Sequence, residues 1–223
     1  MNRIDAIVKR IKRKKCIVAD IGSDHAFLAL SLLKSKNIGK IFNVEINKKP
    51  LNTSINNTKQ YAKTKKVINV LNDGLRKWKY DKYFDYVVIS GMGGNNIINI
   101  IKNIDKEIKI NNLILVPNNG NTLLRKFLSK QGWYFKYEQT ILEHKYYYQL
   151  IHVTKHKTVN CLAAKNKNDY YFGVYNLKHQ SANFSKMLKH RLQFIKNNPQ
   201  AIKYNKNIKQ EMELINDYFK RTI

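Results

Sequence analysis

Carboxylates and glycines recur directly after four apolar runs of this chain. The motifs are Asp20 with Gly22, Glu45, Asp73 with Gly74, and the segment 90–94, which reads Ser-Gly-Met-Gly-Gly. A carboxylate before a glycine turn is expected to point at a ligand, because an unpaired charge in an apolar core is costly. Glycine lets the backbone approach that ligand closely. The four motifs therefore indicate one binding crevice, formed where successive strands end.

The first motif departs from the dinucleotide fingerprint G-x-G-x-x-G. Ser23, Asp24 and His25 stand where further glycines would be needed to seat a pyrophosphate. S-adenosylmethionine (SAM) fits better, since its amino acid, ribose and adenine require carboxylates and backbone groups instead of a phosphate cradle. We expect Glu45 to accept hydrogen bonds from both ribose hydroxyls and Asp73 to accept one from the adenine amino group.

The glycine run after the fourth apolar run would let the backbone pass beside the sulfonium. We expect His25 to support the turn by hydrogen bonding instead of acting as an acid or base. The predicted cofactor-binding residues are Asp20, Gly22, Ser23, His25, Glu45, Asp73, Gly74, Gly91, Met92 and Gly93.

Strand and helix patterns alternate along the chain, which predicts parallel strands joined by right-handed crossovers. The predicted strands are 16–21, 41–46, 67–71, 84–89 and 113–116, and the predicted helices are 3–13, 27 to about 37, 50–63, 95–103 and 121–131. Gly39 is expected to end the second helix, near Asn37. Two more strand-like runs, 133–142 and 146–153, are separated by only three residues and must form a hairpin.

A mostly parallel α/β sheet that ends in an antiparallel hairpin is the Rossmann-like arrangement of class I SAM-dependent methyltransferases. We therefore predict a SAM-binding domain at 1–154 and a helical domain at 155–223, with 155–169 irregular. Two apolar stripes flank Pro199 and predict an antiparallel helical hairpin with coiled-coil character. The stripes are Phe184, Leu188, Leu192 and Ile195, and Ile208, Met212, Ile215 and Phe219.

The net charge of +27 comes from 42 Lys and Arg against 15 Asp and Glu, and makes nucleic acid the first partner to consider. Lysine is also common in proteins encoded by AT-rich sequences. Part of the positive charge is therefore also explained by lysines on solvent-exposed faces that bind no partner. Cys16 and Cys161 lie far apart, which predicts no disulfide, no metal site and a reducing cytoplasm. No run of about 18 apolar residues occurs, so no membrane span is expected.

The motifs together resemble the bacterial tRNA (adenine(22)-N1)-methyltransferase family, TrmK, over about residues 2–154. The resemblance is carried by 19–26 (Ala-Asp-Ile-Gly-Ser-Asp-His-Ala), 72–75 (Asn-Asp-Gly-Leu), 91–94 (Gly-Met-Gly-Gly) and 113–118 (Leu-Ile-Leu-Val-Pro-Asn). It implies a cytoplasmic enzyme, expected to be a monomer, that methylates N1 of adenosine 22 in tRNA. The helical hairpin would help to hold the tRNA.

Adenine N1 carries a lone pair and no proton, so positioning should dominate the reaction and no general base is required. Asp24 is our hypothesis for a carboxylate that stabilises the developing positive charge, with Asn118 as an orienting contact. Asp24 as a helix cap or SAM contact is the alternative. Because N1 lies on the Watson–Crick edge, the base must be unstacked into the crevice.

Three positions depart from the family pattern, and other functions stay open. Phe27 stands where tyrosine is expected, Val116 where glutamine is expected, and Gln149 where glutamate is expected. The open alternatives are a methyltransferase acting on another RNA, a noncatalytic RNA-binding protein that keeps the fold, and an NAD oxidoreductase. The basic residues of the tail line either a phosphate-binding face or a solvated face; they include Lys186, Lys189, Arg191, Lys206 and Lys209.

Overall fold

The structure is a computed structural model that describes residues 1–34 and 38–221, without the side chains of residues 201 and 202. Its strands are β1 (Cys16–Ile21), β2 (Ile38–Glu45), β3 (Val67–Leu71), β4 (Tyr83–Ser90), β5 (Lys109–Val116), β6 (Tyr134–Glu143) and β7 (Tyr146–Thr154). They form one seven-stranded sheet in the order β3-β2-β1-β4-β5-β7-β6. Strands β1 to β5 pair in parallel, and β7 runs antiparallel to β5 and β6. The predicted parallel sheet with a final hairpin is confirmed.

Helices cover both faces of this sheet. They are α1 (Arg3–Val8), α2 (Phe27–Lys34), α3 (Lys48–Thr58), a 3-10 helix (Lys59–Thr64), α4 (Gly94–Lys102), α5 (Asn121–Lys130), α6 (Lys167–Phe172), α7 (Val174–His179), α8 (Ala182–Lys196), α9 (Pro199–Tyr204) and α10 (Lys206–Arg221). Val18 packs with Leu28 of α2 on one face, and Ala19 packs with Ile97 of α4 on the other. Successive residues of β1 are thus buried on opposite faces, which explains its nearly continuous apolar sequence. No helix in the described part of the chain is both long and apolar enough to cross a membrane.

The end of the first helix and the role of Gly39 differ from the sequence prediction. The helix predicted at 3–13 ends at Val8 and continues as a tight turn, which still buries Ile11. Gly39 does not end a helix, because it lies inside β2. A Cβ atom at this glycine would lie 2.6 Å from the carbonyl oxygen of Lys15, so close packing between two chain segments requires glycine there.

The predicted end of the second helix, near Asn37, lies outside the described residues. The helix α2 is described as far as Lys34.

The chain beyond Thr154 folds into the helices α6 to α10. Phe184 of α8 packs edge-on against Tyr218 of α10 with 5.6 Å between ring centroids, and Arg191 of α8 binds Glu211 of α10. From the first of these contacts to the second, the residue number rises in α8 and falls in α10, so the two helices are antiparallel. The predicted C-terminal helices are confirmed, whereas their coiled-coil character stays a prediction.

The prediction of an irregular segment over 155–169 is wrong at its end. Asn166 accepts a hydrogen bond from the backbone N–H of Asp169, whose side chain accepts one from the backbone N–H of Asn166. This capping box satisfies N–H groups that a helix start leaves free. It therefore starts α6 at Lys167, two residues before the predicted irregular segment ends.

A fully buried ion pair connects the sheet to the C-terminal helices. Arg125 of α5 donates to Glu138 of β6 at 2.6 Å, and both side chains are inaccessible to solvent. The same guanidinium donates to the carbonyl oxygens of Tyr170 and Tyr171 in α6. Glu138 in turn accepts from the backbone N–H of Tyr175 in α7 at 3.0 Å. One buried cation and its counter-ion thus attach two helices to the sheet.

Replacing Arg125 with methionine should lower the free energy of unfolding by about 3–5 kcal/mol, because Glu138 is left as a buried charge without its cation. Urea denaturation followed by circular dichroism measures this change. The matched control is Lys220→Met, which breaks an exposed pair with Asp217 at 3.9 Å and should change stability by less than about 1 kcal/mol. Equal losses of unfolding free energy in the two variants would contradict the interpretation that Arg125 joins the C-terminal helices to the sheet.

Candidate functional site

The carboxyl ends of β1 to β4 surround a cavity of about 420 Å³. Five of the predicted cofactor-binding residues line it, namely Gly22, Glu45, Asp73, Gly74 and Met92. Residues that the sequence prediction did not include complete the wall: Ile21, Val44, Ile46, Asn72, Asn96, Asn99 and Ile100. The strand ends therefore converge on one cavity, which has a volume typical of small-ligand sites.

The cavity lining is acidic within a strongly basic chain. Glu45 and Asp73 contribute carboxylates, and the described residues of the lining include no lysine or arginine. Arg76 lies 3.8 Å from Asp73 but does not line the cavity. Such a wall suits a neutral or cationic ligand and disfavours a pyrophosphate, so the geometry fits SAM better than NAD.

Gly22 and Met92 lie close together in the lining of the cavity. Gly22 has a positive φ of 73°, and a Cβ atom there would overlap the methyl group of Met92. The backbone conformation thus favours glycine at this position, whereas the flexible end of the Met92 side chain could move to make room.

Asp20 directly precedes Ile21 and Gly22 of the cavity lining and has 5% of its surface exposed. Burial, and secondarily the charge of nearby Glu45, raise the pKa of Asp20 to about 7. Burial also raises the pKa of Glu45. A group beside this pair that carried positive charge would lower both pKa values and stabilise the ionised carboxylates.

The turn between β1 and α2 is held by Glu45. Its Oε1 atom accepts a hydrogen bond from the backbone N–H of Asp24 and another from the hydroxyl of Ser23 at 3.4 Å. Asp24 and Ala26 have positive φ values of 46° and 57°, a conformation that costs non-glycine residues about 1–2 kcal/mol each. Contacts of the turn with its surroundings must offset this cost.

Two polar residues of α3 also hold the turn, and the sequence analysis did not identify them. Ser54 donates to the carbonyl oxygen of Asp24 at 2.5 Å and contacts the hydroxyl of Ser23 at 3.2 Å. Asn57 donates to the carbonyl oxygen of His25 at 3.0 Å. Their spacing of three residues places both on one helix face, a weak signal that the sequence did contain.

The side chains of the turn form an exposed group outside the cavity lining. The Asp24 carboxylate, 69% exposed, lies 3.6 Å from the His25 ring. That ring stacks on Phe27 with 5.2 Å between centroids, and Phe27 is 57% exposed. The described structure thus presents a carboxylate beside two accessible rings.

Asn118 shapes the glycine-rich segment after β4. Its side-chain amide donates to the carbonyl oxygen of Gly91 at 2.6 Å, and its backbone N–H donates to that of Met92 at 2.8 Å. Gly93 directly precedes α4 as its N-cap. Asn118 therefore fixes the course of the loop that supplies Met92 to the cavity.

Comparisons with known proteins agree with this geometry. Residues 18–222 match the family described as "TrmK: tRNA (adenine(22)-N(1))-methyltransferase". A Mycoplasma genitalium protein named "Putative tRNA methyltransferase" is 30% identical over 142 residues. That similarity covers 63% of this chain and 63% of the relative, so the chain spans less than two thirds of the relative's length.

Solved structures share the fold over nearly the whole chain. M. capricolum TrmK, solved in complex with S-adenosyl-homocysteine (SAH), is 27% identical with a TM-score of 0.83, covering 98% of this chain and 96% of its own. A Listeria monocytogenes protein is 24% identical with a TM-score of 0.87, covering 98% and 99% of the two chains. The B. subtilis m1A22 tRNA methyltransferase TrmK is 21% identical with a TM-score of 0.77, covering 97% of both chains. The last two similarities establish the fold alone.

The raised pKa of Asp20 predicts how stability depends on pH without ligand. The unfolded carboxyl group titrates near pH 3.9 and the folded one near 7, so between these values the folded state binds more protons. This group's contribution to stability should therefore decrease as pH rises from 4 to 7, by on the order of a few kcal/mol.

Urea unfolding at pH 5 and pH 8 tests this dependence in the wild type and in Asp20→Asn. The variant should be the more stable protein at pH 8, and the difference between the two proteins should shrink at pH 5. A constant difference across this range would show that Asp20 does not titrate there.

Proposed function

This chain belongs to the TrmK family of tRNA (adenine(22)-N(1))-methyltransferases, and we propose that it transfers a methyl group from SAM to N1 of adenosine 22 in tRNA. The observation that carries this proposal is the acidic cavity at the strand ends of a chain with a net charge of +27. The cavity suits a cofactor that bears a sulfonium and an ammonium group, while the remaining surface attracts a polyanion.

The predicted cofactor-binding residues have three kinds of role under this proposal. Glu45 and Asp73 would accept hydrogen bonds from the ribose and the adenine amino group of SAM, and Gly22 would let the backbone approach the cofactor. Asp20, which is buried, would provide the charge that favours the cationic amino-acid end. The remaining proposed contacts come from the turn and the loops, at Ser23, His25, Gly74, Gly91, Met92 and Gly93.

SAM supplies an electrophilic methyl group on its sulfonium. The protein's main contribution is then to hold the unstacked adenine with the N1 lone pair in line with that methyl group. His25 and Phe27, which stack on each other and remain exposed, offer a surface against which the base can pack.

Asp24 is placed to assist this step. Methylation leaves a positive charge on the adenine, and a carboxylate nearby stabilises that charge as it develops. The exposed Asp24 carboxylate lies beside the His25 ring, and Glu45 and Ser54 fix its backbone. Asn118 acts through the glycine-rich loop that it binds, so its proposed role is to position that loop.

The C-terminal helices would hold the tRNA. Under this proposal, SAM and the target base bind to residues 1–154, and the tRNA backbone binds to residues 155–223. Lys186, Lys206 and Lys209 are candidates for phosphate contacts. Arg191 is a weaker candidate because its guanidinium is paired with Glu211.

Methyl transfer to unmodified tRNA transcripts tests the proposed reaction. Labelled methyl from SAM should appear as 1-methyladenosine in a transcript with adenosine at position 22, and not in a matched transcript with guanosine there, as read by nucleoside mass spectrometry. If the protein binds SAM but methylates neither transcript, the proposed cofactor stands and adenosine 22 of tRNA is excluded as the methyl acceptor.

Asp24→Ala separates the catalytic hypothesis from its alternative. This variant should lower kcat by about 10–100-fold and leave SAM affinity unchanged, because the carboxylate acts on the charge that develops at the base. Asp73→Ala is the matched control, and it should instead weaken SAM binding measured by calorimetry. Loss of SAM affinity in Asp24→Ala would identify Asp24 as a cofactor contact.

A further inference from the structure

A second cavity, of about 630 Å³, lies at the opposite end of the sheet. The start of β5, the ends of α4 and α5, and residues 155–156 after β7 surround it. Ligands of open parallel sheets bind beyond the carboxyl ends of the strands, whereas this cavity lies near their amino ends. The methyl-transfer site therefore does not account for it.

The cavity combines an apolar floor with a basic rim. Ile104, Ile108, Phe127 and Trp133 contribute the floor, and Lys102, Lys106, Lys109 and Lys155 contribute the rim. The Lys155 ammonium lies 4.6 Å from the centre of the Trp133 ring, and the Lys102 ammonium lies 5.9 Å from that of Phe127. Aromatic rings and ammonium groups thus occupy neighbouring positions on the wall.

The rim carries more positive charge than the acidic side chain of the lining can neutralise. Within the described residues, none of the four ammonium groups of the rim lies within 4.0 Å of a carboxylate. Asp105 also lines the cavity, and its Oδ2 atom accepts from the backbone N–H of Trp78 at 3.0 Å, so the lining holds four ammonium groups and one carboxylate. Lys155 donates to the carbonyl oxygen of Gln131, and burial lowers its pKa. An anion between these ammonium groups would relieve their mutual repulsion.

We propose that this cavity binds a nucleoside monophosphate unit, either as a free mononucleotide or as an unpaired nucleotide of an RNA. The base would pack against Phe127, which is only partly buried, since aromatic side chains stabilise bases of any sequence by stacking. The phosphate would lie between the Lys102 and Lys155 ammonium groups. This binding is independent of the proposed methyl transfer.

Calorimetric titration with AMP tests the proposal, using the full-length protein at low salt with saturating SAH to block the crevice. Lys102→Gln/Lys155→Gln removes charge from the rim, and Ile104→Trp fills the apolar floor. The matched control is Lys126→Gln/Lys130→Gln, which removes the same charge from exposed positions of α5 outside the cavity. Circular dichroism verifies that each variant is folded.

We expect one saturable AMP site per chain. The affinity for AMP should be at least tenfold lower in the rim variant and unchanged in the control, and the filled variant should not bind AMP. AMP displaced by saturating tRNA would identify an RNA nucleotide as the ligand, and AMP retained beside tRNA would identify a free mononucleotide. The proposal is overturned if AMP does not saturate, if the rim and control variants weaken it equally, or if decanoate binds more tightly than AMP.

Discussion

The position of the Glu45 carboxylate is the constraint on which the rest of the crevice depends. It ends β2, lines the cavity and accepts hydrogen bonds from the turn that follows β1. That turn includes two non-glycine residues with positive φ, Asp24 and Ala26, and would relax without external contacts. The same carboxylate contributes to the raised pKa of Asp20. One side chain therefore couples the shape of the turn that carries Asp24 to the charge state of the buried Asp20 carboxyl group.

Separation of charge explains how so basic a chain can offer a cavity to a cationic cofactor. Its 15 acidic residues are few against 42 basic ones, yet Asp20, Glu45 and Asp73 all lie at the crevice. The opposite end of the sheet has the reverse balance of charge, with four ammonium groups and one carboxylate around an apolar floor. Parallel strands place all their carboxyl ends at one edge of the sheet and all their amino ends at the other. The charged residues at each edge therefore lie close together and add up to one local charge.

The sequence predicted most of the sheet because its strands are buried on both faces and therefore read as apolar runs. It also predicted that Glu45 and Asp73 meet in one cavity, since adjacent parallel strands end at the same edge. It could not predict that Ser54 and Asn57 hold the turn, because these contacts depend on how α3 packs against the end of β1. Gly39 was misassigned for a similar reason. Its role depends on the approach of Lys15, which local sequence does not encode.

Gln149 shows how a departure from the family pattern fits the charge balance of the core. Arg125 already has a carboxylate partner in Glu138, and it donates a further hydrogen bond to Gln149 Oε1 at 2.9 Å. A glutamate at 149 would accept that bond as well, but it would place two buried carboxylates beside one guanidinium. The amide accepts the bond without adding charge, and its Nε2 atom reaches the Met187 sulfur of α8 at 3.5 Å. A neutral side chain thus extends the junction from the buried ion pair to the long C-terminal helices.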